Sequence, residues 1–181
     1  MAFSTTTGKK EENKMREPYI SKVVANIGVG SSGDLLESAM KLLEKLSGRK
    51  PVKTYSRHKI PAWGLRLGLP IGAKVTLRGR DAHNFLERSL NAVDKTLKEC
   101  NFDDAGNLSF GIEQYVFYDN IKYDPEIGTM GLQISVTIER PGFRIKKRKI
   151  KKSKVGRSHR VSRADAMDFI KREFGVTIEN E

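Results

Sequence analysis

Between Ala73 and Arg78 the chain alternates strictly, with Ala73, Val75 and Leu77 on one side and Lys74, Thr76 and Arg78 on the other. A strand sends successive side chains to opposite faces, so this segment packs on one face and presents a basic, hydroxyl-bearing face on the other. The same period recurs where Ile134, Val136 and Ile138 alternate with Ser135 and Thr137. It recurs again where Val52, Thr54 and Ser56 alternate with Lys53, Tyr55 and Arg57. A parallel sheet covered on both faces would read as continuous apolar runs instead. The alternation therefore requires a sheet with one covered and one open face.

The covering elements are also visible. A strand is predicted over Tyr19 to Val29, rich in β-branched residues, and a second strand-like stretch over Phe110 to Tyr118. Leu35, Leu36, Ala39, Leu42, Leu43 and Leu46 form a helical stripe that Gly48 ends. Asp81 is expected to cap a second helix that buries Phe85, Leu86, Leu90, Val93 and Leu97, with Cys100 an inert core thiol at its end. Ser162 with Asp165 three residues on predicts a capping box opening a last helix. That helix packs through Ala166, Phe169 or Ile170, and Phe174, and stops at Gly175. The fold class is thus α+β: a largely antiparallel sheet packed on one face by helices, the other face polar and basic. At 181 residues one domain is expected over 15–181, with a basic insertion at 140–163 and a disordered tail over 1–14.

Charge carries the functional signal. The net charge is +12, and the segment from Arg140 to Arg163 holds 12 basic residues and no acidic one. Without it, basic and acidic residues balance. A second acid-free stretch, Lys45 to Arg80, holds 10 basic residues, and the rest of the chain is net acidic. Two positive tracts on an acidic body predict a polyanion bound at defined places. Neither tract carries the Leu, Trp and Phe stripe of a helix lying in a membrane surface, so no membrane partner is expected. Twelve like charges with little apolar area also predict that Lys151 to Arg160 orders fully only on a polyanion.

Enzymatic readings find little support. Gly28, Gly30 and Gly33 match the spacing of a dinucleotide-binding turn between a strand and a helix. The next strand should be buried and end in an acid that grips the ribose, yet no acidic residue follows Glu44 until Asp81. Basic residues there would suit NADP, which keeps an oxidoreductase as the alternative. His58, His83 and His159 have no metal-ligand spacing, and Asp103, Asp104 and Gly106 form a turn without the rest of a calcium loop. Cys100 is the single cysteine, so no internal disulfide exists and a reducing, cytosolic setting is expected. No cofactor and no catalytic residue is predicted.

RNA fits best. A sheet that binds RNA offers cations and hydroxyls to phosphates and 2′-hydroxyls, and aromatics to unstacked bases. The second tract supplies Arg49, Lys50, Lys53, Tyr55, Arg57, His58, Lys59, Trp63, Arg66, Lys74, Thr76 and Arg78. Trp63 lies among Pro and Gly residues, a setting that leaves core packing and RNA contact both open. No helix carries a basic stripe shaped for the major groove of DNA.

Several runs are familiar as a set: Asn26-Ile27-Gly28-Val29-Gly30, Ser47-Gly48-Arg49-Lys50-Pro51, Pro70 to Gly79, Ser109-Phe110-Gly111-Ile112, and Val155 to Arg160. Together they resemble the universal large-subunit ribosomal protein L-five family in its archaeal and eukaryotic form, from about Met15 to Ile178. The resemblance implies a structural binder of 5S rRNA in the central protuberance, touching the large-subunit rRNA and other central-protuberance proteins. It also implies contact with P-site tRNA and a bridge to the small-subunit protein S-thirteen. By motif match, Asn26, Arg49, Trp63 and Thr76 would face 5S rRNA, with Arg49 where a glutamine and Trp63 where a phenylalanine is commoner. Lys50, Lys53, Lys74 and Arg78 would join them. The loop Tyr55 to Leu69, with Arg57, His58, Lys59 and Arg66, resembles the one that approaches P-site tRNA, and Asn101 to Leu108 the bridging side. Arg144, Lys146, Lys147, Arg148, Lys149, Lys151, Lys152, Lys154, Arg157 and Arg160 would serve other rRNA.

Overall fold

The computed structural model describes residues 13–118 and 121–179. Five strands form one antiparallel sheet: β1 (Tyr19–Gly28), β2 (Val52–Tyr55), β3 (Pro70–Leu77), β5 (Leu108–Ile112) and β6 (Leu132–Glu139), in the order β2-β3-β1-β6-β5. Between β3 and β5 lies a short β4 (Thr96–Lys98), which pairs in parallel with β7 (Thr177–Glu179). The helices are α1 (Asp34–Ser47), α2 (Arg80–Asn91), the single turn α3 (Arg144–Lys147) and α4 (Arg163–Phe174).

The core lies where the apolar strand faces meet the helices. Val23, Ala25 and Ile27 of β1, Ala73, Val75 and Leu77 of β3, and Ile134, Val136 and Ile138 of β6 are all buried. Against them α1 buries Leu36, Ala39, Leu42, Leu43 and Leu46, and α2 buries Ala82, Phe85, Leu86 and Leu90. Each such Leu removed from water contributes about 1.5–3 kcal/mol. Helix α1 ends at Gly48, whose φ of 64° suits glycine. The capping box at Ser162 forms as expected, and Ala166, Phe169, Ile170 and Phe174 are all buried.

The dinucleotide reading loses its fold here. The strand that follows α1 does not lie beside β1; antiparallel β3 separates them. No adjacent parallel βαβ unit surrounds Gly28 to Gly33.

Local expectations fail at several points, each for a physical reason. Gly79, not Asp81, occupies the N-cap of α2, and Asp81 points its carboxylate at Arg49. The helix stops at Asn91 because Asp94 and Lys95 take left-handed φ values of 53° and 54°. Leu97 is still buried, but from β4, and Cys100 is exposed in a 3-10 turn instead of buried in the core. Strand β5 ends at Ile112, and the chain then makes a 3-10 turn over Tyr115–Phe117. Tyr115 and Tyr118, three apart, both point inward as a turn allows and a strand does not. The Tyr118 hydroxyl lies 2.8 Å from the Ser89 hydroxyl, and burial pushes its pKa up to about 12. Of the predicted tail, Met1 to Glu12 lie outside the described residues, while Asn13 caps an ordered 3-10 turn over Lys14–Arg16.

Candidate nucleic-acid interface

Among the described residues no helix covers the sheet's second face, which is built from polar rows. Residues paired directly across antiparallel strands share a face. Lys74 pairs with Asn26, Asn26 with Gln133, and Gln133 with Gly111, giving one row across four strands. The next row runs through Thr76, Val24, Ser135 and Ser109. Lys22 and Thr137 begin a third. Gly28 and Gly72 face each other at one end, and a side chain on Gly72 would come within 2.7 Å of the Ile27 carbonyl oxygen. The floor is thus amide- and hydroxyl-rich, and less basic than the sequence suggests.

Register also sorts the predicted residues. Asn26, Lys74 and Thr76 lie together on the open face. Lys53 pairs with Ala73 and so lies on the helix side, while Val52 and Thr54 take the open side of this edge strand. Arg78 is exposed just beyond β3, and Lys50 is exposed before β2. Arg49 is held by Asp81, with Nη2 2.6 Å and Nε 3.1 Å from one carboxylate oxygen, against the first turn of α2. Lys22, Gln133 and Ser109 escape sequence reasoning, and Ser135 and Thr137 are read only as the polar side of their own strand, because alternation shows that a strand has two faces but not which residues of different strands share one.

From β2 to β3 the chain forms a long hairpin. Ser56 donates its amide to the Leu69 carbonyl and accepts from the Gly68 amide, and with the Ile60–Leu65 bridge these bonds stiffen its stem. Leu65 anchors it inward, while Tyr55, Trp63 and Leu67 are exposed, Trp63 at 73%. Trp63 is therefore not a core residue. Arg57, His58, Lys59 and Arg66 are exposed on the same hairpin.

The tract 140–163 lies at the other end of the sheet. Its root is two ion pairs: Lys147 Nζ to Glu139 Oε2 at 2.6 Å, and Arg140 Nη2 to Asp165 Oδ2 at 3.0 Å. Arg140 also donates to the Arg160 carbonyl, Arg160 to that of Val155, and Arg148 to that of Lys151. Val155 and Val161 are buried, which fixes part of the span expected to order only on a polyanion. Three predicted RNA residues, Lys147, Arg148 and Arg160, are thus already engaged within the protein. Among the described residues, Arg144, Lys146, Lys149, Lys151, Lys152, Lys154 and Arg157 make no ion pair and are exposed.

The root carboxylates give an acid sensitivity. Burial would raise the pKa of Glu139, but hydrogen bonds from Lys147 and Ser21 and the charges of Lys147 and Lys146 outweigh it, so it is lowered. Asp165 behaves alike: desolvation is outweighed by its bonds with Ser162 and by Arg140. A carboxylate whose pKa is lower folded than unfolded stabilises fully above the unfolded value, and that contribution disappears as pH falls through the folded one. Urea midpoints should therefore drop below about pH 4.5, and drop less in a Glu139→Gln, Asp165→Asn double variant. An identical acid limb in both proteins would remove these residues from the account.

Residues 13–66 match the family model described as Ribosomal protein L5, and residues 70–171 match the model for the C-terminus of the same ribosomal family. The chain belongs to the ribosomal protein L5 family. This is a family of structural, non-enzymatic proteins. Among similar proteins is one from Sulfolobus acidocaldarius, 47% identical over 93% of this chain and 95% of its own. Others are from Nanoarchaeum equitans, 48% identical over 92% and 99%, and Methanococcoides burtonii, 44% identical over 92% and 99%. All three are named large ribosomal subunit protein uL5. The boundary between the two family models falls in the hairpin, so the first segment supplies β1 and β2 and the second β3, β5 and β6 of one sheet. No helix among the described residues is long and apolar enough to cross a membrane.

Proposed function

We propose that this ribosomal protein belongs to the large subunit and fastens 5S rRNA in the central protuberance, alongside other proteins of that region. The observation that carries the reading is the open sheet face, a polar floor with a cationic element at each end. Strand β1 runs its length, from Tyr19 beside the tract to Gly28 beside the hairpin. Ten residues at about 3.3 Å each span roughly 30 Å, close to one turn of a nucleic-acid duplex. Phosphates would meet Lys74, Arg78 and Lys50, and 2′-hydroxyls would meet Asn26, Thr76, Gln133 and Ser135. Lys53 and Arg49 would contribute from the margin. The exposed hairpin, with Tyr55, Arg57, His58, Lys59 and Arg66, would reach P-site tRNA, while Trp63 would meet 5S rRNA. The unpaired cations of the tract would hold large-subunit rRNA, and the loop Asn101 to Leu108 would face protein S-thirteen of the small subunit.

Two substitutions test the floor and the hairpin by titration against 5S rRNA. Thr76→Val keeps β propensity and removes one exposed hydroxyl, and should weaken binding roughly threefold. Trp63→Ala should weaken it about tenfold if a base stacks there. Neither should move the melting temperature much, since both side chains are exposed. Unchanged affinity in both variants would place the RNA elsewhere.

A further inference from the structure

Between the tract and the end of β6 lies a cleft of about 1030 Å³, closed on its far side by the loop Asp104 to Asn107. Its floor is apolar, formed by Ile138, Phe143, Val155 and Val161, and its lip carries Lys146, Lys152 and Lys154. The chain folds over the cleft at Lys151, which holds a left-handed φ of 53°, and the Ser153 amide bonds back to the Ile145 carbonyl. Resting on the RNA-binding reading above, we propose that this cleft takes one unpaired nucleotide, with its base on the apolar floor and its phosphate on the lysine lip.

The argument is one of size and chemistry. A pocket of this volume admits a nucleotide and is too small to hold a duplex. Buried apolar surface beside unpaired lysines suits a group that is flat and apolar at one end and anionic at the other. The acids within it do not oppose this. Glu139 is already neutralised by Lys147, and Asp104, across the cleft, turns the phosphate toward the lysines. Thr137 lines the cleft from the open face of β6, so the site continues the floor proposed for RNA. A base flipped from an RNA loop would therefore lie at the edge of the bound strand, where such bases are read.

The test uses the full chain and a fluorescent single-stranded RNA of about six nucleotides, with a twin lacking one base but keeping every phosphate. Both are measured in the Trp63→Ala background, which removes stacking at the hairpin. Loss of the base should weaken binding about tenfold. In Thr137→Phe, where an aromatic ring on a strand fills the cleft without changing charge, that penalty should shrink to less than about twofold, with melting unchanged. Cross-linking of a 4-thiouridine oligonucleotide should map to Phe143 or Val155 and vanish in the same variant. A penalty that persists in Thr137→Phe, or cross-links confined to the hairpin, overturns the cleft proposal while leaving RNA binding intact. Displacement of the oligonucleotide from this site by an acidic peptide at lower concentration would assign the cleft to protein instead. Failure of 5S rRNA itself to bind at low salt would remove the underlying reading as well.

Discussion

Raising monovalent salt from about 50 to about 200 mM is expected to weaken the complex with 5S rRNA about a thousandfold. Each phosphate neutralised by a lysine or arginine releases condensed counterions, so log K falls with log salt at about −0.9 per contact on a duplex. About six contacts give a slope near −5, and a fourfold rise in salt then costs about three decades. Six cations stand at the floor or its margin to supply them: Lys50, Lys53, Lys74 and Arg78, which are exposed and make no ion pair among the described residues, with Lys22 and Arg49 beside them. Removing the charge of Lys50 and Lys74 together should flatten the slope by roughly 2, because each phosphate contact carries its own share. A slope near zero would show that charge is not what holds the RNA.

Gly106→Ala is expected to cost about 2–4 kcal/mol. Gly106 has a φ of 76°, and a Cβ there would approach Val161 Cγ1 to 2.7 Å and the Ser162 carbonyl oxygen to 3.3 Å. Val161 is buried and β-branched, so it has few alternative rotamers with which to yield. The loop Asp103 to Asn107 and the end of the tract would be forced apart. Gly128→Ala is the matched control: its φ is 70°, but nothing lies within 4 Å of the added carbon, so only the backbone penalty of about 1 kcal/mol applies. Urea denaturation of the two variants separates the effects. Equal losses would mean that the Gly106–Val161 contact is not tight.

What is legible in the sequence is local. The stripe from Leu35 to Leu46, the Ser162–Asp165 box and the two faces of β3 each depend on residues a few positions apart, and all three form, except that Leu35, in the first turn of α1, is exposed. What stays hidden depends on distant partners. Lys53 alternates properly yet faces the helix side, because its pairing with Ala73 decides the face. Arg49 reads as a free cation in sequence, yet Asp81, far along the chain, lies beside it. The tract reads as uniformly exposed charge, but Glu139 and Asp165 engage its root, and Val155 finds a buried place. Asp94 and Lys95, two ordinary helix residues held at positive φ, end α2 early without any glycine to announce it. Trp63 is ambiguous in sequence because composition does not report which way a loop points; its exposure separates it from the core.

The strand order has a consequence for how the chain is made. Strand β1 sits at the centre of the sheet, with β3 on one side and β6 on the other. Its first neighbour follows after one helix and a hairpin, but Val23 waits for Val136, roughly a hundred residues later. At about 5–20 residues per second, a nascent chain carries β1 with one edge unpaired for some 5–20 s after the strand emerges. That edge exposes backbone donors and acceptors beside Val23, Ala25 and Ile27, the pattern that recruits strands from other molecules. The interval ends only when the second half of the fold has left the tunnel.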